Sequence, residues 1–247
     1  MKQIDLTFPS PAENLACDEA LLDWCEEGDG GEILRFWEPR EHFVVVGYAN
    51  KVATEVNVAA CEARGIPVLR RCSGGGAVVQ GPGCLNYTLV LKITKDGPFR
   101  SISAANRFIM ERNCAAMQNL FPKSKSRDPR PEIAVRGHTD LAIGERKFSG
   151  NSQRRRKHFL LFHGTFLLNF DLALVSELLP MPSKQPDYRE HRAHTGFLMN
   201  LNISAEKVKA VLRQAWKAEV PLKCFSKKNI EALARNKYAT REWNFKF

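Results

Sequence analysis

The stretch FLLFHGTFLLNF at 159–170 constrains this chain more than any other. Its even positions, Leu160, Phe162, Phe166, Leu168 and Phe170, are apolar with Gly164 among them; its odd positions include His163, Thr165 and Asn169. A period of two over this length predicts a long strand with one face on a core. In a straight strand His163 and Thr165 look out from the opposite face. A lone histidine is more often structural than catalytic, but Gly164 beside it permits close approach of a ligand.

The neighbouring segments predict what that strand pairs with. Cys17, Ala20, Leu21, Trp24 and Cys25 form the stripe of an amphipathic helix, with Pro11 before it and Gly28, Gly30 and Gly31 after it. Ile33 to Trp37 reads as a strand. Phe43-Val44-Val45-Val46, a continuous apolar run, reads as a strand buried on both faces. Thr54 is placed to cap a helix running to about Ala63 and closed by Gly65. Pro67 to Arg71 and Leu85 to Ile93 read as further strands, and Ser101 or Ser103 as the cap of a helix reaching Leu120. Ser204 caps a helix carrying Val208, Val211, Leu212 and Ala215, and Ser226 a last one through Ala234. Two basic, Pro-rich stretches, 122–136 and 180–194, read as long loops, either covers over a site or plain surface. Strands alternate irregularly with helices, so the expected fold is α/β of the α+β or mixed type, in a single domain over 1–247.

Composition closes off other classes. With 247 residues, 44% hydrophobic and 26% charged, the chain is neither disordered, nor collagen, nor a coiled coil. No apolar stretch approaches the roughly 20 residues of a membrane helix. MKQIDLTFPSPAEN at the N-terminus has no apolar core of a secretory signal. Seven cysteines, an odd number without a CxxC pair, fit neither a disulfide framework nor a zinc site. Reduced thiols and a cytoplasmic setting are therefore expected, with no membrane partner. The charge, 37 − 27 = +10, suits an acidic partner: nucleic acid, a phosphate-bearing ligand or an acidic protein.

Three constellations can carry chemistry. The first is Arg70-Arg71-Cys72-Ser73-Gly74-Gly75-Gly76-Ala77, in which three consecutive glycines cost backbone entropy and therefore need a reason. A glycine loop beside a guanidinium suits a phosphate or carboxylate. It is neither a P-loop nor a Rossmann fingerprint. The second is a hairpin turning at Gly144-Glu145, expected as a type II′ loop that pairs Leu141 with Phe148 and Asp140 with Ser149. This register puts Asp140, Lys147 and Ser149 on one face, with Asp140 and Lys147 as diagonal neighbours. The third is His163-Gly164-Thr165. Upstream of it, Arg154-Arg155-Arg156-Lys157 reads as a solvated basic face or, second, as a docking patch for an acidic partner.

Taken together, RRCSGGGAV at 70–78, TDLAIGERKFSGNSQRR at 139–155 and HGT at 163–165 resemble the lipoate–protein ligase A family. NLACDEALL at 14–22, GYANK at 47–51 and KYATREWNF near the C-terminus support the resemblance, which covers nearly the whole chain. It implies a large mixed sheet and a smaller one flanked by helices. It also implies ATP- and Mg²⁺-dependent activation of lipoate to lipoyl-AMP, then transfer to a lysine of an acidic lipoyl-acceptor domain. On that resemblance Arg71 and Gly76, Ala77, Val78 and Val79 are nucleotide-binding positions, and Ser73, Gly74 and Gly75 lie over the lipoyl chain. Lys147 contacts both acyl carbonyl and phosphate, as the catalytic residue, while Asp140, His163 and Thr165 line the adenylate pocket. No metal ligands are assigned. The C-terminal domain of long-type ligases is not expected here, and a separate accessory subunit could replace it. Gln80 stands where long-type ligases often have His.

Two rivals follow. An octanoyl- or lipoyl-transferase of the same superfamily works through a cysteine thioester without ATP. Residues 121–140 hold no cysteine, which leaves Cys72 beside the glycine loop and Cys224 late in the chain. The ligase is placed ahead of it. A nucleic-acid binder using 122–136 and Arg154 to Lys157 comes last, because Phe159 alone supplies a nearby stacking aromatic.

Overall fold

The fold was analysed in a computed structural model, which describes residues 1–28, 30–121 and 130–247. Eleven strands form two sheets among these residues. They are β1 (Lys2–Asp5), β2 (Ile33–Trp37), β3 (Phe43–Val46), β4 (Val68–Arg70), β5 (Val78–Gln80), β6 (Cys84–Lys92), β7 (Ile133–Arg136), β8 (Asp140–Ile143), β9 (Arg146–Arg155), β10 (Phe159–Leu167) and β11 (Val220–Pro221). The large sheet runs β11-β1-β2-β6-β10-β9-β8-β7, and the small one β4-β3-β5. The mixed α+β class and its two sheets agree with the expectation.

The period of two in β10 sets the layers. Leu160, Phe162 and Phe166 lie in a core with Ile109 and Met117 of helix Ile102–Gln118 and Val208 and Leu212 of helix Ala205–Ala215. Each such fully buried side chain contributes about 1.5–3 kcal/mol. On the other face, Phe159 and Leu161 lie under helix α1 (Pro11–Glu26), in a second core with Leu21 and Leu22. Two and four residues on, the cover from α1 ends, and His163 and Thr165 open onto a cavity. Strand β3 is buried on both faces as its composition requires: Phe43 and Val45 join the second core, and Val44 and Val46 a third, with Leu174 and Leu178 of helix Leu172–Leu178.

Local rules explain most boundaries. Ser10 Oγ accepts from Glu13 N at 3.2 Å while Glu13 Oε2 accepts from Ser10 N at 3.0 Å, a reciprocal box that starts α1 with Pro11 as its first residue. Ser101 and Ser226 cap as expected; Ser204 is the cap residue of its helix without a side-chain bond. The helix expected from Thr54 to Ala63 is instead two, Val52–Glu55 and Val58–Ala63. The chain extends at Val56, and Asn57, not Thr54, caps the second by accepting from Ala60 N. Of the loop expected over 122–136, residues 122–129 lie outside the described residues, and Ile133–Arg136 is not loop but edge strand β7. No helix among the described residues is long and apolar enough to cross a membrane.

Candidate active site

Cross-strand register assembles the site. One row across the sheet runs Trp37 (β2), Asn86 (β6), Thr165 (β10), Gly150 (β9), Asp140 (β8); the next runs Arg35, Thr88, His163, Ser152 on β2, β6, β10 and β9. These rows floor a cavity of about 930 Å³, within the range of small-molecule sites. Its roof comes from the glycine loop, the start of β5, and the 180–194 segment. That segment therefore covers the site, the first of its two readings.

The hairpin holds the largest departure from the expected register. Ile143 pairs with Arg146 and Ala142 with Lys147, but a bulge follows, so that Leu141 faces Ser149 and Asp140 faces Gly150. Phe148 and Leu141 both join the first core, and with the extra residue at Phe148 the alternation resumes one position late on β9. Lys147 thus shares its face with Gly150, while Ser149, opposite Leu141 and Phe166, is buried on the side of Asn151 and reaches the cavity lining from there. Lys147 Nζ lies 2.7 Å from Asp140 Oδ1, closer than the diagonal spacing implied. Tyr188 of the covering segment donates its hydroxyl to Asp140 Oδ2 at 2.8 Å. Burial and the neighbouring carboxylate push that phenol well above its ordinary value.

Two glycines make the arrangement possible. A Cβ on Gly150 would stand 2.8 Å from Lys147 Nζ. A Cβ on Gly164 would overlap Asn151 Oδ1, which accepts from Tyr87 at 2.7 Å while Asn151 Nδ2 reaches Thr139 O at 2.6 Å. Gly164 therefore makes room for Asn151 from inside the sheet, and the close approach expected there is to protein. Beside them, Gln80 and Asn86 exchange two amide hydrogen bonds of 3.0 Å, and Thr165 Oγ1 donates to Asn86 Oδ1. Gln80 is thus an integral part of the floor.

The two arginines part ways. Arg70 is fully buried and donates to the carbonyls of Gly47, Tyr48, Asn50, Trp243 and Asn244, joining the C-terminus to β3 and β4. Arg71 lines the cavity, but its guanidinium braces the glycine loop through Gly74 O at 2.6 Å and Gly76 O at 2.8 Å. Burial pushes it down to about 10. Of the three glycines, Gly75 has a φ of +87° that demands glycine. Gly74 and Gly76 have open space around an added Cβ.

Of the residues expected at the site, Arg71, Gly75, Gly76, Ala77, Val78, Val79, Asp140, Lys147, His163 and Thr165 all line this one cavity. Ser73 and Gly74 are not on the lining: Ser73 is buried behind it at 1% exposure, and Gly74 is exposed, its carbonyl accepting from Arg71 and from Ser152. Sequence reasoning missed Asp18, Gly150 and Tyr188. For Asp18 the signal was present, an acidic residue inside the apolar stripe of α1. Trp37 Nε1, Arg136 Nε and Gln185 Oε1 are buried without a partner among the described residues, and all three residues line the cavity. These are donors and acceptors left over for a ligand. No three His, Cys, Asp or Glu side chains converge as metal donors among the described residues.

The basic cluster is not the solvated or docking face expected of it. Arg154 donates to Cys72 O, Arg155 to Phe99 O and Arg156 to Asp23, so three of its four cations are turned onto the protein itself. That removes the main support for nucleic-acid binding. Nor does a cysteine line the cavity among the described residues. Cys72 is buried and pushed up to about 12, and Cys224 is exposed beyond the edge strand β11.

Comparison with known proteins places this geometry. Octanoyltransferase LipM of Geobacillus kaustophilus is 27% identical over 98% of this chain and 97% of its own. The crystal structure of lipoate-protein ligase A bound with ATP is 28% identical, covers 99% of both chains and has a TM-score of 0.74. A bi-partite lipoate protein ligase from Thermoplasma acidophilum, solved with its E2 lipoyl domain, is 25% identical over 99% of this chain and 95% of its own, with a TM-score of 0.76. The family model of the lipoyl protein ligase A/B catalytic domain matches residues 10–217, and the chain belongs to that family.

Proposed function

We propose that this chain transfers an octanoyl- or lipoyl-type acyl group to a lysine amine of a carrier protein. The observation that carries the reading is the placement of Lys147 on the wall of a 930 Å³ cavity shared with the glycine loop and His163-Gly164-Thr165. Amide formation from an activated acyl group builds negative charge on the carbonyl oxygen, and a cation held in a partly buried site offsets it. Lys147 is 25% exposed and anchored by Asp140, so it is both reachable and fixed. No protein nucleophile is needed if the donor arrives activated.

Two routes supply the donor. Transfer without ATP, placed second on the sequence, is the better supported by relatives, because the LipM octanoyltransferase matches end to end. Its cysteine step finds no support in the cavity, which has no thiol on its wall among the described residues. That observation favours the other route, ATP-dependent ligation, in which Arg71 and the segment from Gly76 to Val79 would border the nucleotide and Ser73 to Gly75 the acyl chain. Here Mg²⁺ is read as the counter-ion of the nucleotide's phosphates. A lipoyl-acceptor domain is the expected partner in both routes. The bi-partite relative makes a separate accessory subunit a reasonable second one.

The test pairs the purified chain with an acceptor domain and either octanoyl thioester without ATP, or lipoate with ATP and Mg²⁺. Mass spectrometry then reads acceptor, acyl-adenylate and the protein itself. Acyl-acceptor in the first arm establishes the transferase, and acyl-adenylate with acyl-acceptor in the second the ligase. An unmodified acceptor in both arms would refute the proposal.

A further inference from the structure

A chain of hydrogen-bonded polar groups leads from the cavity wall, where His163 and Asp18 lie, to the buried Ser73 and Arg35. Ser73 Oγ lies 2.6 Å from His163 Nε2, His163 Nδ1 lies 2.9 Å from Asp18 Oδ2, and Asp18 Oδ1 lies 2.6 Å from Arg35 Nη1. The first three residues have the spacing of a nucleophile, its base and the base's orienting acid. Two facts argue against a nucleophile. Ser73 is 1% exposed and does not line the cavity. Its oxygen also accepts from Arg71 Nε at 3.2 Å, which draws electron density away from the lone pair an attack would need.

Counting donors fixes the protons. Arg35 and Arg71 can only donate, and an ionised carboxylate can only accept. Burial works to raise Asp18, but Arg35 and His163 outweigh it and hold the carboxyl below its ordinary value, so Asp18 is the acceptor. His163 Nδ1 must then carry hydrogen. With Arg71 Nε on one lone pair and no other acceptor hydrogen-bonded to the Ser73 hydroxyl among the described residues, its single proton points to Nε2, which is then bare. The histidine is therefore the neutral Nδ1–H tautomer. A proton on Nε2 would instead reverse this bond, with the second lone pair of Ser73 Oγ accepting it.

We propose that Asp18 and Arg35 are positioning residues for acyl transfer, which through His163 and Ser73 hold the glycine loop against the cavity. The inference rests on the function proposed above. The loop is tied at four points: Ser73 Oγ to His163, Ser73 O from Tyr48 N at 2.8 Å, Gly74 O from Ser152 Oγ at 2.8 Å, and its carbonyls to Arg71. The groups around the ring are Asp18 from α1, Arg35 from β2, and Arg71 and Ser73 after β4. Strands β6 and β9 contribute only the neutral Thr88 and Ser152 at its register positions.

The experiment is a long-range ¹H–¹⁵N spectrum of the full chain labelled at its six histidines, with His163→Gln to assign the resonance. The expected result is protonated Nδ1 and bare Nε2 at pH 7.5. His163→Gln, which leaves the Asp18–Arg35 pair in place, is expected to lose about 10–100-fold in kcat/KM, the scale of a small misplacement at a reacting centre. An Nε2–H tautomer, an unchanged rate in His163→Gln, or an acyl group found on Ser73 would each overturn the proposal. The spectrum stands without activity, so a wild-type chain that transfers nothing would refute the function above and leave the tautomer to decide this inference.

Discussion

Replacing Gly150 with alanine separates the position of Lys147 from the stability of the fold. The added Cβ would stand 2.8 Å from Lys147 Nζ and 2.9 Å from its Cε, against an ordinary contact of about 3.5–4 Å. The ammonium must then withdraw by about 0.6–1 Å, which takes it off Asp140 Oδ1, now 2.7 Å away. The backbone accepts the change, since Gly150 is not among the residues of positive φ. What moves is the end of a flexible side chain, and the smaller entropy of the unfolded alanine chain offsets part of the cost. Thermal unfolding should therefore shift by no more than about 1 kcal/mol. A displacement near 1 Å at the reacting centre should cost about 100-fold in kcat/KM for acyl transfer to the carrier domain. A Gly150→Ala protein that transfers within twofold of wild type would refute the reasoning, as would a loss of activity that only follows loss of fold.

Four further outcomes are expected. Gly164→Ala, which collides with Asn151 inside the sheet, should destabilise by about 1–3 kcal/mol in urea unfolding, with no gain from added apolar surface. Arg35→Met leaves Asp18 buried without its cation, bonded to His163, and should cost about 3–5 kcal/mol by the same assay. Because the folded Asp18 carboxyl lies below its unfolded value of about 3.9, its contribution is present above that pH and is lost as pH falls through the folded value. Acid unfolding of wild type should accordingly be steeper than that of Asp18→Asn. Tyr188→Phe removes one hydrogen bond to Asp140 and should cost about 1 kcal/mol of substrate binding or loop closure, read as a roughly fivefold rise in KM.

Much of this was legible from the sequence, for reasons visible in particular residues. Strand β10 was readable because its core-facing positions are uniformly apolar, and β3 because a run of four apolar residues suits burial on both sides. The same regularity misled at β9. A bulge leaves no mark in apolar spacing, because Leu141 and Phe148 are buried in either register, so Ser149 was put on the wrong face and Gly150 overlooked. Arg154, Arg155 and Arg156 look like a solvated patch on the sequence because nothing local shows that Cys72, Phe99 and Asp23 will lie beside them. The division of labour between Arg70 and Arg71 is likewise tertiary: the partners of Arg70 include Trp243 and Asn244, more than 170 positions away. The distinction between transferase and ligase depends on whether a thiol reaches one cavity, which spacing along the chain does not encode.

The most direct measurement is intact-mass analysis of a lipoyl-acceptor domain after incubation with wild type and with Lys147→Met, offered octanoyl thioester in one arm and lipoate, ATP and Mg²⁺ in the other. The account expects an acyl-modified acceptor with wild type in one of the arms and none with a folded Lys147→Met protein. An acceptor left unmodified by wild type in both arms, or modified as fast by Lys147→Met, would contradict it.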